Sequence, residues 1–506
     1  DQTAASEGTF VNITSTGGSS TFSAATDKVT LKVEATVVNL GAVDAGNGGF
    51  AINGQSTDDR SGYNVTNAGD VNGDGFDDLI VSSPFADVGS TVDAGRSYVV
   101  FGKSGGLLGN TNINLSSVAN GGGGFVINGA GASDFTGHTA SAAGDVNGDG
   151  LADIIVASPN ADIASGDKAG RAFVIYGKTA GNAVNLSSVS SSMGFSINSS
   201  ATNGPNPVFY VSDAGDVNGD GLGDLIVGAS QNNVSSTLDA GKAYVVFGRT
   251  GTTTSVDLSA IDAGTGGFVI NGVGANDRAG TFVDNIGDFN GDGLSDVAIG
   301  ADFAGSTSAA GRSYVVFGKA GTGAVNLSNP GAAAFSILGE SAGDEAFRIS
   351  GAGDVNGDGL ADLLVGSAGA DLSGAADAGR SYVVFGKTGT PATVQLSAIA
   401  AGVGGFVING EAAADGAGNV SYAGDINGDG LADVIVAAPG SDKGNGTESG
   451  RAYVVYGQTG TNAVNLTAVA NGVGGFVLNG QSTGDDLSTV SYAGDINGDG
   501  FDDLLL

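Results

Sequence analysis

A nine-residue pattern, Asp-x-Asn-Gly-Asp-Gly-x-x-Asp, carries most of the chemistry in this chain. Its first copy runs from Asp70 to Asp78 and sets oxygen-bearing side chains Asp70, Asn72, Asp74 and Asp78 at positions 1, 3, 5 and 9. Hard oxygen donors at this density suit Ca²⁺, which takes about six to eight oxygens. Gly75 at position 6 permits a sharp turn, and Phe76 at position 7 is expected to offer only its backbone carbonyl. The pattern begins like the loop of a helix–loop–helix calcium site and then departs from it. Position 12 is Val81 rather than Glu, so position 9 must supply the last carboxylate. The residues after position 9 are apolar and strand-like, which argues against a calcium switch built on a helix pair. Mg²⁺ fits less well, because it demands a stricter octahedron and retains water.

The pattern occurs seven times, at 70–78, 145–153, 216–224, 288–296, 354–362, 425–433 and 495–503. The expected ligands are therefore Asp70, Asn72, Asp74, Phe76 and Asp78; Asp145, Asn147, Asp149, Leu151 and Asp153; Asp216, Asn218, Asp220, Leu222 and Asp224; Asp288, Asn290, Asp292, Leu294 and Asp296; Asp354, Asn356, Asp358, Leu360 and Asp362; Asp425, Asn427, Asp429, Leu431 and Asp433; and Asp495, Asn497, Asp499, Phe501 and Asp503. The competing reading is a Gly-Asn-Asp turn that only joins two strands. Three carboxylates held so close repel one another unless a cation lies between them. About seven Ca²⁺ ions, one per repeat, would reduce the formal charge of −35 to about −21.

The elements that position these turns repeat with them. The first Asp returns at a mean spacing of about 71 residues, too long for a single-motif repeat. A strand-like run precedes each turn ("GYNVTNAG") and another follows it ("DLIVSSP"). Two more keep the same phase: "RSYVVFG", and "GFAING" around Phe125, Phe195, Phe268, Phe335, Phe406 and Phe476. All are short, rich in Val, Ile, Tyr and Phe, and bounded by Gly, Asn, Asp or Ser. Four strands per unit and seven units predict an all-β fold: a seven-bladed β-propeller of four-stranded antiparallel blades. The phase of the chain predicts how the ring closes. Residues 37–54 match 255–272 over most of their length, and 28–34 stand where a third strand belongs. The N-terminal strands 3 and 4 are thus expected to pair with the C-terminal strands 1 and 2, removing exposed sheet edges. Residues 28–506 form the propeller on this reading, and 1–27 read as a linker or extra segment.

"DVNGDGFDDLIVSSP", "DINGDGLADVIVAAP" and "GRSYVVFG" resemble the FG-GAP repeats of the integrin α-subunit N-terminal β-propeller and its bacterial calcium-binding relatives. The resemblance covers residues 28–506. It implies a seven-bladed propeller with calcium loops between strands one and two on the lower face, and partners docking on the upper loops. It also implies that the Asp, Asn, Asp and Asp of each copy are ligands. All seven units here carry the loop, whereas only some integrin blades do. The repeats leave no room for an inserted ligand-binding domain, so integrin-type recognition is not implied.

Composition narrows the function. Eighteen basic against 53 acidic residues disfavour nucleic acid, whose binding rests on Lys and Arg. Cysteine is absent, so metal rather than disulfide would staple the fold. No apolar run is long enough for a transmembrane helix. The chain opens at Asp1 and stops within an apolar run, "FDDLLL", and reads as a processed chain or a piece of a longer one. No catalytic constellation is visible; the single histidine, His138, has no repeat mate and reads as a packing or surface residue. Arg96, Arg171, Lys242, Arg312, Arg380 and Arg451 share one repeat position, Lys103, Lys178, Arg249, Lys319 and Lys387 another, and both sets are expected to pair with neighbouring acids. Tyr98, Phe173, Tyr244, Tyr314, Tyr382 and Tyr453 are expected in the core between blades. The variable loops at 54–62, 199–209 and 339–347, with 83–95, are the expected recognition surface, opposite the calcium loops.

These observations lead to a calcium-stabilised extracellular or cell-surface module, bacterial in type and non-catalytic. Its expected role is protein interaction, adhesion or self-assembly, with a protein or carbohydrate ligand on the upper face. The alternative is a lectin or a polysaccharide-cleaving propeller.

Overall fold

Each acidic turn leads into a short strand. Six of these strands, Asp78–Ser83, Asp153–Ser158, Asp224–Ala229, Asp296–Ala301, Asp362–Ser367 and Asp433–Ala438, are buried at every residue. A strand with no exposed face must have protein against both sides of its sheet. In the computed structural model of this chain the described residues are 37–45, 48–103, 112–163, 168–199, 209–302, 310–389, 393–442, 446–484 and 486–506. They form six five-stranded sheets stacked face to face around an axis. In the first blade Asn64–Gly69 is innermost, followed outward by Asp78–Ser83, Arg96–Val100 and Gly124–Asn128, all antiparallel.

The fifth strand is a feature the sequence reading lacks. Val184–Asn185 of the next repeat adds in parallel to the outer edge of Gly124–Asn128, and every blade repeats this arrangement. An asparagine clasp locks the junction: Asn128 Nδ2 donates to Asn185 Oδ1 at 3.0 Å and Asn271 Nδ2 to Asn326 Oδ1 at 2.9 Å. A short helix then follows, as at Leu115–Ala119 and Leu258–Asp262, and buries its apolar residues against the blade.

The expected seven four-stranded blades are corrected to six. The seventh acidic turn lies in a two-stranded hairpin, Ser491–Gly494 with Asp503–Leu505. That hairpin packs between the inner strands Asn64–Gly69 and Asn419–Gly424. Among the described residues no third strand bonds to Asp503–Leu505, and they build only this two-stranded ladder there. The expected closure is corrected as well. Val37–Asn39 runs parallel to Val477–Asn479 as the fifth strand of the last full blade, and Ile52–Asn53 pairs with Ile113–Asn114. Phe50, Ile52, Ala493, Ile496 and Leu505 share one apolar cluster with the first blade, so the two ends of the chain meet through side-chain packing. The segments 1–27, 28–34 and most of 199–209 lie outside the described residues.

The core lies between sheets. One cluster joins Ile155, Val174 and Phe195 of the second blade to Leu225, Val227 and Tyr244 of the third, and others repeat this around the ring. Tyr98, Tyr244, Tyr382 and Tyr453 are fully buried there, as their phase predicts.

Candidate metal loops and the channel mouth

A bulge sets up each acidic loop. The register of the inner hairpin slips just before the loop, at Gly69 in the first copy, where φ is +69°. Gly73 and Gly75 then adopt φ of +76° and +89°, which a Cβ would strain. This winds the loop around Asp70: its Oδ1 accepts from the N–H of Gly73 (2.7 Å) and Asp74 (3.0 Å), and its Oδ2 from Gly75 (2.9 Å). Asp74 Oδ1 accepts from the N–H of Phe76 at 3.1 Å. Five other copies keep this scheme, down to Asp495 with Gly498, Asp499 and Gly500; in the sixth, Asp425 accepts from Asp429 and Gly430 with its carboxylate and from Gly428 with its backbone carbonyl.

Position 9 ties the loop to the blade. Asp78 accepts from the N–H of Val71 at 3.0 Å and from that of Gly102, just past the third strand, at 2.8 Å. Asp153, Asp224, Asp296 and Asp362 bond the equivalent groups, and Asp433 reaches Gly457. All six are fully buried. Burial pushes each carboxyl up to about 7, and the carboxylates at positions 5 and 1 add to the rise. Asp503, in the hairpin, is pushed by burial to about 6.

Among the described residues no group of three or more His, Cys, Asp or Glu side chains is gathered as a metal cage. The position-1 and position-9 carboxylates are turned onto N–H groups, and Asn72 points its Nδ2 at Asp78. The donor chemistry nevertheless suits a hard divalent cation: three carboxylates, an amide oxygen and a carbonyl in one nine-residue loop. A buried carboxylate that is costly to ionise beside two more is the situation a bound cation relieves.

Two acids escaped the sequence reading. Position 8 is Ala152, Gly223, Ser295, Ala361 and Ala432 in five copies but Asp77 in the first copy, which borders the hairpin, and Asp502 in the hairpin's own copy. Asp77 Oδ2 accepts from the N–H of Asp495 (3.2 Å), and Asp502 Oδ2 from that of Asp425 (2.7 Å). Each therefore bridges its own loop to the first Asp of the loop next to it.

The inner strands run from the acidic loops to the opposite end of the central channel, and there a cavity of about 760 Å³ opens. Its lining comes from the starts of the inner strands and the loops before them. Six or seven residues ahead of successive first aspartates stand Tyr63, His138, Tyr210, Phe282 and Phe347, so the signal for this cluster was present as phase. His138 belongs to it: Tyr63 Oη lies 3.3 Å from His138 Nε2, and burial lowers the imidazole below its ordinary value. The loops 54–62 and 339–347 lie at this end, opposite the acidic loops, as expected.

The third-strand cations are only partly as expected. Lys242–Asp262 (2.8 Å), Arg380–Glu340 (2.7 Å) and Arg451–Glu411 (2.9 Å) are ion pairs, while Arg96 donates to Gln55 instead. Of the second set, Lys178 and Lys319 lie 4.0 and 4.2 Å over the rings of Phe125 and Phe268, capping apolar surface.

A family model described as FG-GAP repeat matches six segments, 61–100, 137–175, 209–246, 280–316, 347–384 and 409–455. These fall on the six full blades and omit the seventh acidic turn, in agreement with the corrected count. Among solved structures, the biofilm matrix protein Bap1 of V. cholerae is similar at 15% identity, over 79% of this chain and 81% of that one, with a TM-score of 0.29.

Proposed function

Because this chain belongs to the FG-GAP repeat family, we propose that it is a non-catalytic interaction or adhesion module that works outside the cell. On this reading the acidic loops hold Ca²⁺ and stiffen one end of the ring, while the loops and inner-strand starts at the other end present a binding surface. The observation that carries the proposal is the division of labour along the inner strands. One end repeats a single self-similar loop seven times, and the other end varies in every repeat. Repetition suits scaffolding, and variation on a rigid frame suits recognition.

In each loop the side-chain oxygens of positions 1, 3, 5 and 9 and the position-7 carbonyl would hold the ion. Bound Ca²⁺ supplies positive charge that offsets the crowded carboxylates. The chain's own part is to orient those oxygens, with Gly73 and Gly75 shaping the turn and the position-9 carboxylate fastening it to the third strand. Millimolar extracellular calcium would keep even weak sites of this kind filled.

The test is capture by beads coated with the protein, presented with extracellular matrix material in calcium and again after EGTA. Calcium-dependent capture, weakened by substitutions at Tyr63 and Tyr210 but not at distant Lys387, supports the reading. Capture that ignores both calcium and the channel mouth overturns it.

A further inference from the structure

The channel mouth has a chemistry of its own. Five rings form a continuous arc around it. Tyr63 and His138 have centroids 5.4 Å apart, His138 and Tyr210 6.3 Å, Tyr210 and Phe282 4.9 Å, and Phe282 and Phe347 5.9 Å. Two arginines border the arc. Arg348 lies 5.8 Å from the Phe282 centroid and 5.9 Å from that of Phe347, and Arg60 lies 4.5 Å over Phe85. Arg348 Nη1 donates to Asn419 Oδ1, which fixes the guanidinium at the rim.

These two arginines differ from those on the third strands. Among the described residues neither forms an ion pair with a carboxylate, although the chain has 53 acidic residues to choose from. A chain of net charge −35 thus keeps two guanidinium groups without an ion-pair partner at the entrance of this cavity, whose lining holds one carboxylate, Asp486. Arginine without an acid partner is matched by an anion, and its planar fork favours a carboxylate. Aromatic faces beside it suit a flat apolar surface, such as the C–H face of a pyranose ring. Asn64, Thr139, Ser488 and Thr489 add hydroxyl and amide groups around the wall, the donors and acceptors that sugar hydroxyls need.

We propose that the channel mouth is a binding site for an acidic oligosaccharide, with a uronate carboxylate on Arg348 and Arg60 and a sugar ring on the Tyr210–Phe282 face. This rests on the interaction-module reading and names its ligand class. An acidic peptide would satisfy the arginines but leave the aromatic arc and the ring of hydroxyl groups without a role.

The experiment is isothermal titration of the full chain, at fixed millimolar calcium, with trigalacturonate, neutral galactotriose and triglutamate. Trigalacturonate is expected to bind at least tenfold more tightly than either of the others. Arg348→Gln and Tyr210→Ala are each expected to weaken it roughly tenfold or more, while Lys387→Gln leaves it unchanged. Arg60 is exposed, so Arg60→Gln serves as the second test if Arg348→Gln does not fold. Equal binding of triglutamate would show a general anion site and overturn the proposal. So would tight binding that neither arginine variant alters, or no trigalacturonate binding at all. If trigalacturonate fails while coated beads still capture matrix material through the mouth, this ligand assignment falls and the interaction reading stands. If both fail, the interaction reading falls with it.

Discussion

Replacing Asp224 by Ala separates the two roles of the acidic loop. The Asp224 carboxylate accepts from the N–H of Val217 at 2.9 Å and of Gly248 at 2.8 Å, and it is fully buried. Its loss orphans two buried donors, each costing roughly 1–3 kcal/mol, so the hydrogen bonds alone account for roughly 2–6 kcal/mol. Spread over the unfolding entropy of a 506-residue chain, this lowers Tm by roughly 2–6 °C. A calcium site filled at about a hundredfold excess over Kd adds about 2.7 kcal/mol, and seven such sites add roughly 19 kcal/mol, or roughly 18 °C. Calcium therefore outweighs any single loop's hydrogen bonds. The assay is thermal unfolding followed by circular dichroism in calcium and in EGTA, with bound metal counted by elemental analysis. The expected result is about seven ions per chain, a fall of well over 10 °C on chelation, and an Asp224→Ala penalty that is smaller in EGTA than in calcium. An equal penalty in both buffers, with little metal bound, would refute the metal argument and leave the loops as hydrogen-bonded turns.

Other consequences can be checked alongside. Asp503→Ala should cost less than Asp224→Ala, because among the described residues Asp503 accepts from the N–H of Ile496 and from Asn497 Nδ2 but from no glycine past a third strand; paired denaturation curves measure the difference. Gly95→Ala should destabilise by several degrees in a thermal melt, since φ is +81° and a Cβ would sit 2.2 Å from the Thr136 carbonyl oxygen. In the channel wall, Asp284 is raised to about 6, by burial first and then by Asp213, while Ser212 and the N–H of Gly351 donate to it. A carboxyl whose folded pKa lies above its unfolded value favours the folded state when protonated, so that contribution is lost as pH rises from about 4 through about 6. Asp284→Asn should therefore raise Tm at pH 7.5, with the gap closing as pH falls to 4; a gap constant with pH would count against it.

The sequence made the unit legible because the unit is local. Asp, Asn and Gly at fixed offsets define a turn within nine residues, and the structure winds all seven copies the same way. The inter-blade tyrosines were also legible, since their phase relative to the turn fixes which face of the third strand they occupy. The channel mouth was harder. Tyr63, His138, Tyr210, Phe282 and Phe347 keep phase only to within one residue and differ in type, so no motif marks them. They become a site only when the ring places the starts of five inner strands side by side.

The blade count shows where local reading stops. A calcium-type turn needs only its own nine residues, but a blade needs a ladder of hydrogen bonds across segments far apart in the chain. The seventh turn meets the first requirement: Asp495 gathers the N–H groups of Gly498, Asp499 and Gly500 as Asp70 gathers those of Gly73, Asp74 and Gly75. It does not meet the second, because Asp503–Leu505 bonds only to Ser491–Gly494 among the described residues. The position-8 acids follow from the same geometry. Where full blades adjoin, a small residue at position 8 fits against the next inner strand, as Ala152 does against Gly69 and Ala361 against Gly287. At both borders of the hairpin that residue is replaced by Asp77 or Asp502, whose carboxylates catch the neighbouring loop's backbone. These side chain-to-backbone bonds tie the two-stranded element to the acidic loops on either side of it.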